Sequence, residues 1–117
     1  MTKSHNTSLE DRASFKNWLI DVKGMTPKAA GDVVSRCKRV KRELGASFDD
    51  AFRSEDNFVS LMEMIAQYSY RTTADHIAAQ RKTATLRTSV RRLLEYKSPR
   101  KVEKFTKKRL YSVAPTR

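Results

Sequence analysis

The segment TPKAAGDVVSRCKRVKRELG, residues 26–45, decides the fold class of this chain. Thr26 is a favourable N-cap, Pro27 suits the first turn of a helix, and Gly45 suits the left-handed residue that ends one. Apolar residues recur between them at helical spacing and form one stripe, which consists of Ala30, Val33, Val34, Cys37, Val40 and Leu44. This spacing predicts an amphipathic helix with one face in a core.

The other side of this helix is basic. At about 100° per residue, the arc facing away from the apolar stripe carries four cations. They are Lys28, Lys38, Arg39 and Arg42.

The preceding segment, SLEDRASFKNWLIDVKG (residues 8–24), repeats this pattern with Ser8 as its cap and Gly24 as its end. Its apolar stripe is Phe15, Trp18, Leu19 and Val22. An exposed tryptophan is a stacking surface in single-strand binding proteins. The place of Trp18 in a regular stripe favours the core instead.

Three further segments are helical by the same criteria. SFDDAF (residues 47–52), capped by Ser47, predicts one or two short turns, and SEDNFVSLMEMIAQY (residues 54–68) predicts a helix. TTADHIAAQRKTATLRTSVRRLLEYK (residues 72–97) is the longest helical segment, with a cap near Thr72 or Thr73. A break over residues 82–85 fits the position of Ile77, which lies off the later apolar stripe. The stripes are Phe58, Leu61, Met62 and Ile65 in the first helix, and Leu86, Val90, Leu93 and Leu94 in the second.

We therefore predict an all-α protein, a small bundle of four to five helices with a basic C-terminal tail. Residues 1–7 are expected to form a flexible N-terminus, residues 8–97 a helical domain, and residues 98–117 the basic tail. Pro99 disfavours helical geometry at Ser98, and the charge beyond it is dense, so we expect the tail to be mobile without a ligand.

The charge of the chain is high and unevenly distributed. The 117 residues carry a net charge of +12, nearly all of it after residue 70. The single cysteine fits a reducing compartment, and no secretory signal or membrane-length apolar run occurs. We expect an intracellular, cytoplasmic location, for a protein that is nucleoid-associated or virus-encoded.

The sequence predicts no enzyme, metal or cofactor. His5 and His76 are far apart, and Cys37 lies on an apolar stripe, as a structural thiol does. Asp49 and Asp50 follow the Ser47 cap, where carboxylates favour the positive end of a short helix. No glycine-rich phosphate loop is present.

The cations predict a polyanionic partner, most simply double-stranded DNA. The arginines of the long helix are close together, so their like charges repel one another. Bound phosphates would reduce this repulsion. Arg87 or Arg91 is also a candidate for reading guanine edges. The apolar stripes are used by the core, so no membrane partner is expected. The predicted contacts beyond the second helix are Arg81, Arg87, Arg91, Arg92, Lys97, Arg100, Lys101, Lys104, Lys107, Lys108 and Arg109.

Two stretches together resemble one known family. FKNWLIDVKGMTPKAAGDVVSRCKRVKRELG (residues 15–45) is similar to the first two helices, and TLRTSVRRLLEYK (residues 85–97) to the closing helix, of a domain from tyrosine recombinases and phage integrases. That domain is the SAM-like core-binding domain, and the resemblance spans about residues 8–97. It implies a helical bundle whose second and last helices cross DNA, in a phage or mobile-element protein.

The catalytic domain of that family, with its arginines, histidine and tyrosine nucleophile, has no counterpart here. Tyr111 lacks such a setting, so the resemblance implies a non-catalytic DNA-binding protein. Two alternatives stay open. One is a protein-interaction module, such as a phage anti-defence inhibitor that acts on a nucleic-acid-handling complex. The other is an RNA-binding protein.

Overall fold

The computed structural model describes residues 14–106, and nearly all of that range is helical. No strand occurs among these residues, so the prediction of a small all-α bundle is confirmed. The described range holds six helices instead of four or five, because a further helix, α6, follows Pro99 in the segment predicted as a tail. The helices are α1 (described over residues 14–21), α2 (Pro27–Leu44), α3 (Phe48–Ala51), α4 (Glu55–Thr72), α5 (His76–Lys97) and α6 (Pro99–Thr106).

The ends of α2 are formed by the residues that the sequence indicated. The Thr26 hydroxyl accepts a hydrogen bond from the Ala29 amide at 3.1 Å, and Pro27 occupies the first turn. Gly45 ends the helix with a φ of 61°, in the left-handed region that glycine adopts without strain. Ser47 and Ser54 cap α3 and α4 in the same way.

The predicted start of α5 was wrong. Thr72 is the last residue of α4, and the cap of α5 is Asp75, whose carboxylate accepts from the Ala78 amide at 2.8 Å. The predicted break over residues 82–85 is also absent, because α5 is continuous from His76 to Lys97. Ile77 lies off the later stripe because it is nine residues before Leu86, about 180° away around one continuous helix, and it is 57% exposed.

The core lies around α5, which packs against α2, α4 and α6. Most residues of the predicted stripes are buried there, while Val34 and Leu44 are half-buried and pack against it. Val22 is the exception, at 65% exposure, because α1 has ended by residue 21 and Val22 lies in the turn that follows.

Trp18 packs against this core from its edge. Its ring lies 6.3 Å from that of Phe15 and 5.4 Å from that of Tyr96, measured between centroids, and it is half-buried. The predicted contact with the core is confirmed, but the burial is only partial.

The C-terminal segment required a larger correction. Ser98 is non-helical, as Pro99 predicted, but Pro99 then begins α6 instead of a tail. Phe105 of this helix is 4% exposed, and its ring lies 5.7 Å from that of Phe58. Residues 99–106 therefore belong to the bundle. The predicted N-terminal segment 1–7, the Ser8 cap and the remainder of the predicted tail, with Lys107, Lys108, Arg109 and Tyr111, lie outside the described residues.

Candidate nucleic-acid interface

A cleft of about 280 Å³ opens between α2 and α5. It is the feature that brings cations of the two basic helices together. Its lining comes from the loop before α2 and from both helices, and consists of Met25, Val33, Arg36, Ala84, Thr85, Thr88, Ser89 and Arg92.

The α5 side of the cleft is one stripe of the helix. Thr85, Thr88 and Arg92 line the cleft, and Arg81 continues the stripe one turn before Thr85, outside the lining. These four residues follow at i, i+4, i+7 and i+11, which places them within about 60° of one another around the axis.

The backbone under this stripe is held by contacts with α2. The Cys37 thiol donates to the Ser89 carbonyl oxygen at 3.3 Å, and the Ser89 hydroxyl donates to the Thr85 carbonyl oxygen at 3.1 Å. Both interactions lie below the surface that carries the arginines, so the two helices present the cleft on a packed scaffold.

Arg36 is the lining cation that was not among the contacts predicted from the sequence. It lies between the apolar stripe and the basic arc of α2, so it belongs to neither pattern. Its side chain is half-buried and forms no hydrogen bond or ion pair with another described residue. Arg39, three residues further on, is exposed on the neighbouring turn. We call Arg36, Arg39, Arg81 and Arg92, with Thr85 and Thr88, the cleft face.

Arg92 is held at one end of the cleft by Glu95. An Arg92 guanidinium nitrogen lies 3.4 Å from one Glu95 oxygen, and Lys23 Nζ lies 2.7 Å from the other. Burial raises the pKa of Glu95, but the hydrogen bond and charge of Lys23, with those of Arg92, outweigh it and the net pKa is lowered. Glu95 therefore stays ionised at neutral pH and fixes both cations.

Arg87 and Arg91 lie on a different side of α5. Five residues separate Arg87 from Arg92, which corresponds to about 140° around the helix. The Arg87 guanidinium donates twice to the Met62 carbonyl oxygen, at 3.1 and 3.0 Å, and burial lowers its pKa. The structure thus divides the four arginines of α5 between two sides and gives Arg87 a contact inside the bundle.

The other predicted cations are spread over the surface. Lys38 points to the side of α2 opposite Arg36, while Lys28 and Arg42 form exposed ion pairs with Asp32 and Glu43 at 3.6 and 3.1 Å. On the C-terminal segment, Lys97, Arg100 and Lys104 are exposed, and Lys101 donates to the Phe52 carbonyl oxygen at 2.9 Å. The predicted cations therefore do not share a single face.

Cys37 and His76 lie in opposite surroundings, one buried and the other exposed. Burial raises the pKa of the Cys37 thiol to about 12, which keeps it protonated and supports the structural interpretation. His76 is exposed, with its ring 5.3 Å from that of Tyr70. Within residues 14–106, no group of three or more His, Cys, Asp or Glu side chains is placed to hold a metal ion. None of the described helices is both long enough and apolar enough to cross a membrane.

No family model, curated protein or solved structure significantly matches this chain. The resemblance to the core-binding domain of tyrosine recombinases therefore remains a prediction from the sequence.

Proposed function

We propose that this chain binds nucleic acid, with duplex DNA as the target, through the cleft face. One observation carries the proposal: an arginine from each of two helices, Arg36 of α2 and Arg92 of α5, lines a single opening. Arg39 lies one turn beyond Arg36, and Arg81 lies one turn before Thr85, so the positive surface continues along both helices.

The charge on this face has little internal compensation. Arg36, Arg39 and Arg81 form no ion pair with a described acidic residue, whereas Arg92 shares Glu95 with Lys23. Positive charges clustered on one surface repel one another and attract anions. Phosphates would supply that charge and release condensed counterions, which is the main source of affinity in such complexes.

The dimensions of the face suit a nucleic-acid backbone. Arg81 and Arg92 are eleven residues apart on one helix, a rise of about 16 Å. This corresponds to about five base pairs at 3.4 Å each. Arginine and threonine side chains both donate hydrogen bonds to phosphate oxygens, so the whole face is a row of donors. We therefore propose binding without catalysis.

Fluorescence anisotropy with a labelled duplex, a single strand and an RNA hairpin, each over a range of salt, tests this proposal. Four neutralised phosphates give a slope of log affinity against log salt of about −3.6 on duplex DNA. Arg39→Met should flatten that slope by about 0.9, because it removes one contact. Arg53→Met is the matched control, because it removes an exposed arginine that pairs with Asp50 at 3.0 Å, outside the cleft face.

Other outcomes point to the other candidate functions. Tighter binding of the RNA hairpin than of the duplex would favour an RNA-binding protein. If none of the three nucleic acids bound at low salt, the cleft face would have to meet an acidic protein surface. Equal losses from Arg39→Met and Arg53→Met would mean that only the net charge of the chain matters.

A further inference from the structure

The cleft between α2 and α5 is lined by groups of two chemical kinds. Arg36, Arg92 and the two threonines supply hydrogen-bond donors, whereas Met25, Val33 and Ala84 supply apolar surface. A concave site that combines apolar surface with a few convergent polar groups is typical of small-molecule binding sites. A surface that only follows a phosphate backbone has no need of the apolar part.

Several donors of the cleft lack a partner. Arg36 is half-buried, and neither it nor the hydroxyls of Thr85 and Thr88 hydrogen-bond to another described residue. A partly desolvated cation is costly unless an anion approaches it, and a guanidinium binds phosphate through paired hydrogen bonds. These groups therefore fit a ligand that is rich in anionic oxygen.

The volume of the cleft exceeds what one phosphate group needs. The cleft is widely open to solvent, and its volume of about 280 Å³ is just below that of the smallest small-molecule sites, roughly 300 Å³. With a phosphate at Arg36 and Arg92, space remains beside Met25 and Val33 for a flat apolar group. A nucleobase is such a group, and it is joined to the phosphate by a sugar.

We infer that the cleft binds one nucleotide, with its phosphate between Arg36 and Arg92 and its base against Met25 and Val33. This inference rests on the proposed function, because the nucleotide is then one unit of the bound strand. A free mononucleotide offers the same chemistry. In a strand, the base must be unpaired to enter the cleft, and leaving the stack costs least where pairing is already broken.

Titration of the ¹⁵N-labelled protein with a nucleoside 5′-monophosphate, the nucleoside and inorganic phosphate tests the inference by NMR. We expect the amides of Val33, Thr85 and Thr88 to shift, and the mononucleotide to bind at least about tenfold more tightly than phosphate. Arg36→Met should weaken binding of the mononucleotide at least about tenfold, since the charge-assisted hydrogen bonds between Arg36 and the phosphate are lost. Phosphate binding as tight as nucleotide binding would overturn the inference.

Ala84→Phe tests the cleft itself without a change of charge. Ala84 is exposed, so a larger side chain is compatible with the fold, and it should fill the space that the base occupies. Mononucleotide binding should then be lost, and Thr88→Phe repeats the test from a second exposed position, with circular dichroism melts to confirm folding. Unchanged nucleotide binding in both folded variants would contradict the assignment.

Strand binding by the same variants separates this inference from the proposed function. A duplex with a one-nucleotide bulge should bind the wild type more tightly than a fully paired duplex, and Ala84→Phe should remove that preference. Arg39→Met should weaken binding of both duplexes. It should leave binding of the mononucleotide unchanged, because Arg39 does not line the cleft. Binding of strands without the mononucleotide would refute only the nucleotide site. Binding of the mononucleotide without any strand would refute only the proposed function and leave a free nucleotide as the ligand.

Discussion

Replacing Phe105 by alanine tests whether α6 is part of the folded domain. Phe105 is 4% exposed and packs against Phe58 at a centroid distance of 5.7 Å. Truncating a buried phenylalanine costs about 3–5 kcal/mol, through lost burial and the cavity that remains. Because α6 has only 8 residues and can shift to fill part of the cavity, we expect the lower end, about 3 kcal/mol.

A loss of this size is readily measured. It is a large part of the 5–15 kcal/mol that holds a typical domain together, and it corresponds to a fall in Tm of about 10 °C. Urea unfolding followed by fluorescence suits the measurement, because Trp18 is the single tryptophan and packs against the core. The urea concentration at the midpoint of unfolding should fall, while the slope of the unfolding free energy against urea concentration stays nearly the same.

The neighbouring residue Lys104 gives the control. It is exposed on the same helix, so Lys104→Ala should change the unfolding free energy by less than about 0.5 kcal/mol. A loss below about 1 kcal/mol for Phe105→Ala would refute the placement of α6, and residues 99–106 would then be the loosely attached tail that the sequence predicted.

The remaining predictions concern two side chains near the cleft. The pKa of Cys37 is raised from 9.0 to about 12, so at pH 8 its thiolate fraction is about 1,000-fold lower than that of an ordinary thiol. Iodoacetamide should therefore label it only when the protein unfolds in urea, and labelling of the native protein at the rate of a free thiol would disprove its burial. The lowered pKa of Glu95 means that its ion pairs stabilise the fold above its unfolded pKa of about 4.3, and that this contribution is lost as the pH falls through the lower folded pKa. Glu95→Gln should lower the Tm at pH 7, and the difference from the wild type should shrink as the pH falls below about 4.3 and Glu95 becomes protonated. A difference in Tm that does not change with pH would contradict this.

Much of the fold is readable in the sequence because helix ends and helix faces are local properties. Thr26, Ser47 and Ser54 each accept a hydrogen bond from an amide three residues ahead, so the cap and its partner belong to one short segment. The apolar stripe of α2 likewise follows from the helical period alone. Competition between adjacent candidates is harder to judge, and Asp75 instead of Thr72 or Thr73 begins α5 because α4 continues to Thr72.

The candidate site depends on contacts that the sequence does not encode locally. Arg36 and Arg92 are 56 positions apart and line one cleft only because α2 packs against α5. The same packing leaves Arg87 on another side, bound to the carbonyl oxygen of Met62 on α4. Likewise, the charge of residues 99–106 suggested a tail, whereas the burial of Phe105 and the packing of Val102 against the core make them a helix of the bundle. The sequence by itself determined which faces are apolar and which are basic, because helical period and side-chain chemistry are local. Which basic residues meet was decided only by the tertiary structure, because it depends on how whole helices pack around α5.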